Sequence, residues 1–484
     1  MSQATHDYDV LVIGAGPAGY VAAIRAAQLG LKTACIDRKV NATEQHCFGG
    51  AYVNAGCIAA VALLESAKLF ATLHHDIATH GISADNIRSD IPKMQQRKEA
   101  IVAALSTHIE NLFIANNVDS FHAYAQLINP NRVEITPVDG GIPHIMTANK
   151  IILAAGSSAV QLDFAPLDNQ FIIDGQQALN LTEVPKTLGI IGAGAIGVEL
   201  AGIWNKLGAN VILLEAQDTF MPIADHDIAT EALKLFTQQG LDIRLGARVI
   251  STQINNKQVT VVYEDTQGQH HCCFDKLVVA SGRKPNTELL IAPSADLLLD
   301  EEGFVHVDEN CMTTLPGVYA IGDLTLSGPM LAHKGIEEGI FVAEHIAEQQ
   351  SPINYHTIPN VIYTDPEIAW VGQSEQDLIA IGEDIKISYF PFHAASRAQI
   401  MGSTQGMVKM IMQAESEIIL GVHIIGASAS ELIAEAVLAM EFSATAEDLA
   451  RTIHAHPTLS EVIHESALTL NGRSLHIPSS VDNE

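Results

Sequence analysis

Basic residues are scarce in this chain: Lys and Arg number 26 against 56 Asp and Glu, a formal net charge of −30. So acidic a surface repels phosphate backbones and anionic lipid, so nucleic acid and membrane surfaces are not expected partners, and the charge reads as solubility. Cysteine is sparse as well, with six in 484 residues, at 35, 47, 57, 272, 273 and 311. That is too few for a disulfide scaffold, and the expected setting is a reducing, cytoplasmic compartment. The opening MSQATHDYDV has no basic residue, so no secretory leader is expected there. Val10 to Ile24 is interrupted by glycines and Pro17 and closed by Arg25, too short and broken to span a bilayer. The HHCC run at His270–Cys273 has no second ligand pair at zinc spacing, and neighbours on a strand alternate faces, so no metal is expected.

What is present points to a well-buried globular protein, with 48% hydrophobic and 17% charged residues. The length suggests about two to four domains. An internal repeat organises the chain. One copy is DVLVIGAGPAGYVAAIRAAQLGLKTACID and the other TLGIIGAGAIGVELAGIWNKLGANVILLE. Each combines a short apolar strand, a G-x-G-x-x-G turn, a helical apolar pattern, a second strand and an acid. Asp37 stands 23 positions after Gly14, and Glu215 stands 23 after Gly192. One such turn alone says little; two inside full βαβ units are a dinucleotide-binding signature. Gly14 and Gly192 permit the tight turn, Gly16 and Gly194 admit a pyrophosphate, and Gly19 and Gly197 let helix pack on strand. Asp37 and Glu215 are placed to accept hydrogen bonds from ribose hydroxyls. Glu215 would repel a 2′-phosphate, which favours NAD over NADP.

IILAAGSSA (151–159) and LVVASGRKPN (277–286) read as strands ending in small-residue turns beside a ligand. Between Gly317 and Gln350 a strand ends at Gly322-Asp323 and a helix follows from about Ala332. Beyond about residue 350 the pattern shifts to strands such as NVIYT, IAWVG and MVKMIM, then to helical ELIAEAVLAMEFSA, an α+β module without a nucleotide signature.

The order of two G-x-G-x-x-G turns flanking a cysteine motif, then A-x-G-R-x-P-N, G-D and H-x-H-P-T-x-x-E, resembles the flavin-dependent pyridine nucleotide-disulfide oxidoreductases. Within that family the dihydrolipoamide dehydrogenase branch is the most similar. MLAHKG (330–335), YTDPEIAWVG (363–372) and TIHAHPTLSE (452–461) carry the likeness locally. The resemblance implies an α/β protein with two Rossmann-like dinucleotide-binding domains and a C-terminal α+β dimerisation domain. Residues 1–156 and 281–349 would bind FAD, 157–280 would bind NAD, and 350–484 would form a homodimer interface. FAD would be held by Gly14, Gly16, Gly19, Asp37, Gly50 and the backbone at Ala123. Asp323 would hold the ribityl chain, with Leu331 and Ala332 close to the isoalloxazine. NAD would be held by Gly192, Gly194, Gly197 and Glu215, lined by Val249 and Gly282. His456, oriented by Glu461, would reach the partner subunit's active site, while His454 points elsewhere. An imidazole near neutral pKa can shuttle a thiol's proton, and a carboxylate can fix its tautomer.

The redox-active disulfide motif is incomplete. The family pattern G-G-x-C-x-N-x-G-C-I-P-S-K is met at Gly49, Gly50, Asn54, Gly56, Cys57 and Ile58. Tyr52, however, replaces the first cysteine, and Ala59, Ala60 and Val61 replace P-S-K. The resemblance pairs the missing lysine with the glutamate found here as Glu199, near the flavin. The expectation is an FAD- and NAD-dependent oxidoreductase that has lost the disulfide relay and acts as a diaphorase or transhydrogenase, passing electrons to an unidentified acceptor. Two alternatives stand beside it. One is a dihydrolipoyl dehydrogenase using another thiol such as Cys47, with a 2-oxo acid dehydrogenase complex as partner. The other is a non-catalytic FAD-binding scaffold.

Overall fold

Residues 10–13 and 187–191 are apolar on both faces, the pattern of a strand covered on each side by helices, and each forms the centre of a parallel sheet. The computed structural model describes residues 6–40, 45–75, 77–349 and 352–478. Residues 1–5 of the opening segment and the expected domain edge at 350 lie outside them. The chain folds as two compact units. Met1–Leu63, Asp90–Val160 and Gly282–Tyr355 make the first, and Leu64–Ser89, Gln161–Ser281 and His356–Glu484 the second.

In the first unit the strand Tyr8–Ile13 pairs in parallel with Thr33–Asp37 on one side and His144–Leu153 on the other. Val318–Ala320 extends the parallel sheet beyond His144–Leu153, and Asp119–Asn129 extends it beyond Thr33–Asp37. An antiparallel strand, Arg132–Pro137, closes between Asp119–Asn129 and His144–Leu153. The helices Pro17–Gln28 and Ala332–Ile346 pack on the sheet through Ala22, Ala26, Val342 and Ala343. A short antiparallel pair, Ser157–Ala159 with Arg283–Pro285, lies where the chain leaves and re-enters this unit.

The second unit repeats the parallel arrangement with Thr187–Ile191, Asn210–Leu214, Asp242–Arg244, Lys276–Val279 and Ile172–Asp174. It adds a three-stranded antiparallel sheet and, from residue 360 on, a five-stranded antiparallel sheet covered by the helices Ala429–Glu441 and Glu461–Leu470. These are the two nucleotide-type sheets and the C-terminal α+β module expected from the sequence, the module sharing one compact unit with the second sheet. The HHCC run is part of the edge strand Gly268–Phe274, where His270 contacts Asp265 at 2.9 Å.

One buried ion cluster ties the second unit together. Lys409, in the strand Met407–Gln413, has its ammonium within 2.9 Å of Asp225, 2.7 Å of Asp227 and 2.5 Å of Glu375. Asp225 caps the helix His226–Gln238, so this lysine joins the nucleotide-type half to the C-terminal sheet.

The helical stretch Gly50–His74 is long and apolar enough to cross a bilayer by length and composition. Its Ala59, Leu63, Leu64 and Ala67 are buried, while most of its apolar stretch is not. One helix of this kind is weak grounds for a membrane span.

Candidate cofactor and thiol sites

The two glycine turns have the same geometry. Gly14 and Gly192 have φ of +106° and +101°, and a Cβ at either would strike the carbonyl of Ala154 or Ala280. At Gly19 and Gly197 a Cβ would fall 1.8 Å and 2.0 Å from the carbonyls of Gly14 and Gly192. Gly16 and Gly194 cap the helices Pro17–Gln28 and Ala195–Lys206 in extended conformation without a side-chain cap. The first-turn N–H groups and the positive end of each helix dipole are therefore left for an anion.

The acids complete the match. Asp37 accepts from the Ala15 N–H at 2.6 Å and the Lys39 N–H at 2.7 Å. Glu215 accepts from Ala193 at 2.8 Å and Gln217 at 3.0 Å. Each carboxylate thus pins the turn it follows and keeps lone pairs for ribose hydroxyls. Both cradles fit a dinucleotide pyrophosphate: no side chain fills either one, since the nearest atom to a Cβ at Gly16 is 3.9 Å away and none lies within 4 Å of one at Gly194.

The remaining cofactor candidates divide between the units. Ala123 is buried in Asp119–Asn129, one position past His122, the register partner of Asp37. Gly282, φ +104°, belongs to the first unit and accepts from the Val160 N–H at 3.1 Å. In the second unit Val249 is the second residue of the strand Arg248–Asn255, two after Ala247, whose N–H donates to the Glu215 carbonyl at 2.8 Å. Glu199 lies on Ala195–Lys206 and accepts from the Tyr363 N–H at 2.9 Å. Burial pushes its carboxyl up to about 7, against the pull of that N–H.

Asp323 is buried at the end of a short turn that a second buried group holds in place. Glu338 accepts from the Gly322 N–H at 2.6 Å and from Tyr355 at 2.9 Å. Lys334 lies 3.1 Å from Glu338 and donates to the Gly322 carbonyl at 2.9 Å. Both side chains are fully enclosed, so the pair and the turn are mutually obligatory. Asp323 accepts from the Ser157 hydroxyl at 2.5 Å, and Ser157 accepts from Arg283 Nε at 2.8 Å. Leu331 and Ala332 stand at the start of the helix Ala332–Ile346.

The cysteine motif forms two helices, Gly50–Ala55 and Cys57–His75, broken at Gly56. Asn54 fastens the first of them by donating to the Phe48 and Gly50 carbonyls at 2.9 Å. Cys57 is half-buried, its sulfur 3.8 Å from the Tyr52 carbonyl. Tyr52 places its hydroxyl 2.7 Å from the Met330 carbonyl and 3.1 Å from Asp323. None of the six cysteines is in a disulfide. Cys47 is buried, and desolvation pushes its thiol up to about 11.

His456 and Glu461 meet as the sequence anticipates, Nδ1 to carboxylate at 2.8 Å, with the Thr458 N–H donating to the other oxygen at 2.9 Å. Burial works against the Glu461 charge, but that N–H and the imidazole hold its carboxyl below the ordinary range. His456 projects outward, 68% exposed. His454 instead contacts Glu435 at 2.5 Å and stacks on His464. Sequence reading did not single out Ser157, Arg283, Lys334 or Glu338. The i,i+4 spacing of Lys334 and Glu338 was a signal, while the Ser157 contact joins positions 166 residues apart.

The profile of the family described as pyridine nucleotide-disulphide oxidoreductase matches residues 8–339, and that of its dimerisation domain matches 358–467. A dihydrolipoyl dehydrogenase of Cupriavidus necator is 44% identical over 97% of this chain and 99% of its own length. Among solved structures, LpdA of Mycobacterium tuberculosis superposes with a TM-score of 0.87 at 27% identity, over 95% of this chain and 99% of that one. A Cu(II) complex of RclA, an HOCl-induced flavoprotein disulfide reductase of Escherichia coli, superposes with a TM-score of 0.84 at 26% identity, over 96% and 99%.

Proposed function

Since the chain belongs to the pyridine nucleotide-disulphide oxidoreductase family and is an FAD- and NAD-dependent oxidoreductase, we propose that it works without a disulfide relay. Its electrons pass directly to an acceptor such as a quinone, a dye, oxygen or a second nicotinamide. FAD supplies the hydride-accepting chemistry when bound, and NADH the hydride. The chain's residues hold the two dinucleotides through the matched glycine turns and through Asp37 and Glu215. The match to the dimerisation domain supports a homodimer. Cysteines outside any disulfide suit a cytoplasmic setting.

One observation carries this reading: a tyrosine stands where thiol exchange needs a nucleophile, and its phenol is committed to Met330 and Asp323. Thiol–disulfide exchange needs an attacking thiolate and a resolving partner. Cys57 is the one motif thiol left. Cys47, with its thiol near 11, is thiolate in only about one molecule in ten thousand at neutral pH.

A second reading, NAD-linked dihydrolipoyl oxidation as in the curated relatives, is favoured by the intact His456–Glu461 pair. Proton shuttling of that kind has an obvious use with a thiol substrate. Anaerobic NADH titration separates the readings. Bleaching of the flavin absorbance by one equivalent supports the direct route. A long-wavelength band followed by consumption of a second equivalent would overturn it.

A further inference from the structure

The hydroxyl of Tyr52 has one proton and faces two acceptors, the Met330 carbonyl at 2.7 Å and the Asp323 carboxylate at 3.1 Å. The other Asp323 oxygen already takes the Ser157 proton at 2.5 Å, and the Ser157 oxygen is supplied by Arg283. This buried oxygen cluster is therefore short of donors. Burial, and then the Asp323 charge, drive the phenol far above its ordinary pKa, so Tyr52 stays protonated. One phenol proton shared between a carbonyl and a carboxylate oxygen leaves lone pairs unfilled, and a ligand with several hydroxyls fills them. Such a ligand can donate to Asp323 and Met330 and accept from Tyr52.

The same segment is fixed to the first glycine turn. The Gly49 N–H donates to the Ala15 carbonyl at 2.8 Å, and a Cβ at Gly50 would lie 2.7 Å from the Gly16 Cα. A polyol continuing from a pyrophosphate in that turn is part of FAD itself. We propose that Tyr52 is a cofactor-binding residue, its hydroxyl holding the ribityl chain of FAD jointly with Asp323 and the Met330 carbonyl. A position that carries a reactive thiol elsewhere in the family serves cofactor retention here. The inference rests on FAD binding and is independent of how electrons leave the flavin.

The test is equilibrium binding to apoprotein, with FAD followed by quenching of its fluorescence and ADP, which has no ribityl chain, by calorimetry. Tyr52→Phe should raise the FAD dissociation constant about tenfold and leave that of ADP unchanged. Tyr52→His, which keeps a ring and an N–H donor, should bind FAD more tightly than Tyr52→Phe. Unchanged or tighter FAD binding in Tyr52→Phe would overturn the assignment. So would equal weakening of FAD and ADP, which would make Tyr52 a support for the turn.

Discussion

The Lys409 ammonium lies 2.9 Å from the Asp225 carboxylate, 184 positions earlier, and both side chains are almost wholly enclosed. Removing the cation would strand Asp225 as a buried charge while leaving its desolvation cost in place. Breaking a buried pair from one side typically costs about 3–5 kcal/mol. Lys409→Met should therefore lower the unfolding free energy from urea denaturation of the apoprotein by that order, with an unchanged dependence on denaturant. Burial opposes ionisation of Asp227, but Lys409 and Tyr389 together hold its carboxyl below the ordinary value of 3.8. Its contribution is thus present above about pH 4 and lost as pH falls below that, a loss the Lys409→Met variant should not share.

Glu199 behaves in the opposite sense. Its carboxyl is raised from 4.5 to about 7, so the folded protein holds that proton more tightly than the unfolded chain. The associated stability is fully present below about pH 4.5 and is lost as pH rises through 7. The span corresponds to about 3 kcal/mol as an upper bound. Thermal unfolding of apoprotein followed from pH 5 to pH 8 should decline less for Glu199→Gln than for the parent. Parallel declines would show that the carboxylate finds a compensating donor.

Restoring the missing thiol is a direct check on the local geometry. Cys57 Sγ sits 3.8 Å from the carbonyl of residue 52, across the Gly56 break. The resemblance places the family's disulfide between positions 52 and 57, so a cysteine at 52 restores the pair. Tyr52→Cys, oxidised and then denatured, should show two fewer titratable thiols than the same protein after reduction. The parent should show six in both states. Restored pairing without lipoamide turnover would separate the loss of the thiol from the change at Val61.

The cofactor turns were legible in the sequence because all their determinants are local. A glycine at φ near +100°, a helix N-terminus and an acid 23 residues on lie within one βαβ unit. The C-terminal strands were legible from their apolar runs. The strand Ile385–Pro391 was less so, since KISYF mixes buried and exposed positions. Lys409 was hidden for a different reason: in MVKMIM a lone lysine looks like the solvent face, yet its neighbours are buried on both sides. The Tyr52, Ser157 and Asp323 contacts could not be read from spacing at all. They join segments 271 and 166 positions apart in the chain.

The contact of Gly50 with Gly16 has a bearing on how such a chain can change. The path of the backbone through residues 49–56 is set by glycines and by Asn54, not by a sulfur bridge. The path of the backbone and the identity of the side chain at position 52 are therefore separately heritable. A change of side chain at position 52 leaves the glycine turn that faces it to pass intact to the next generation.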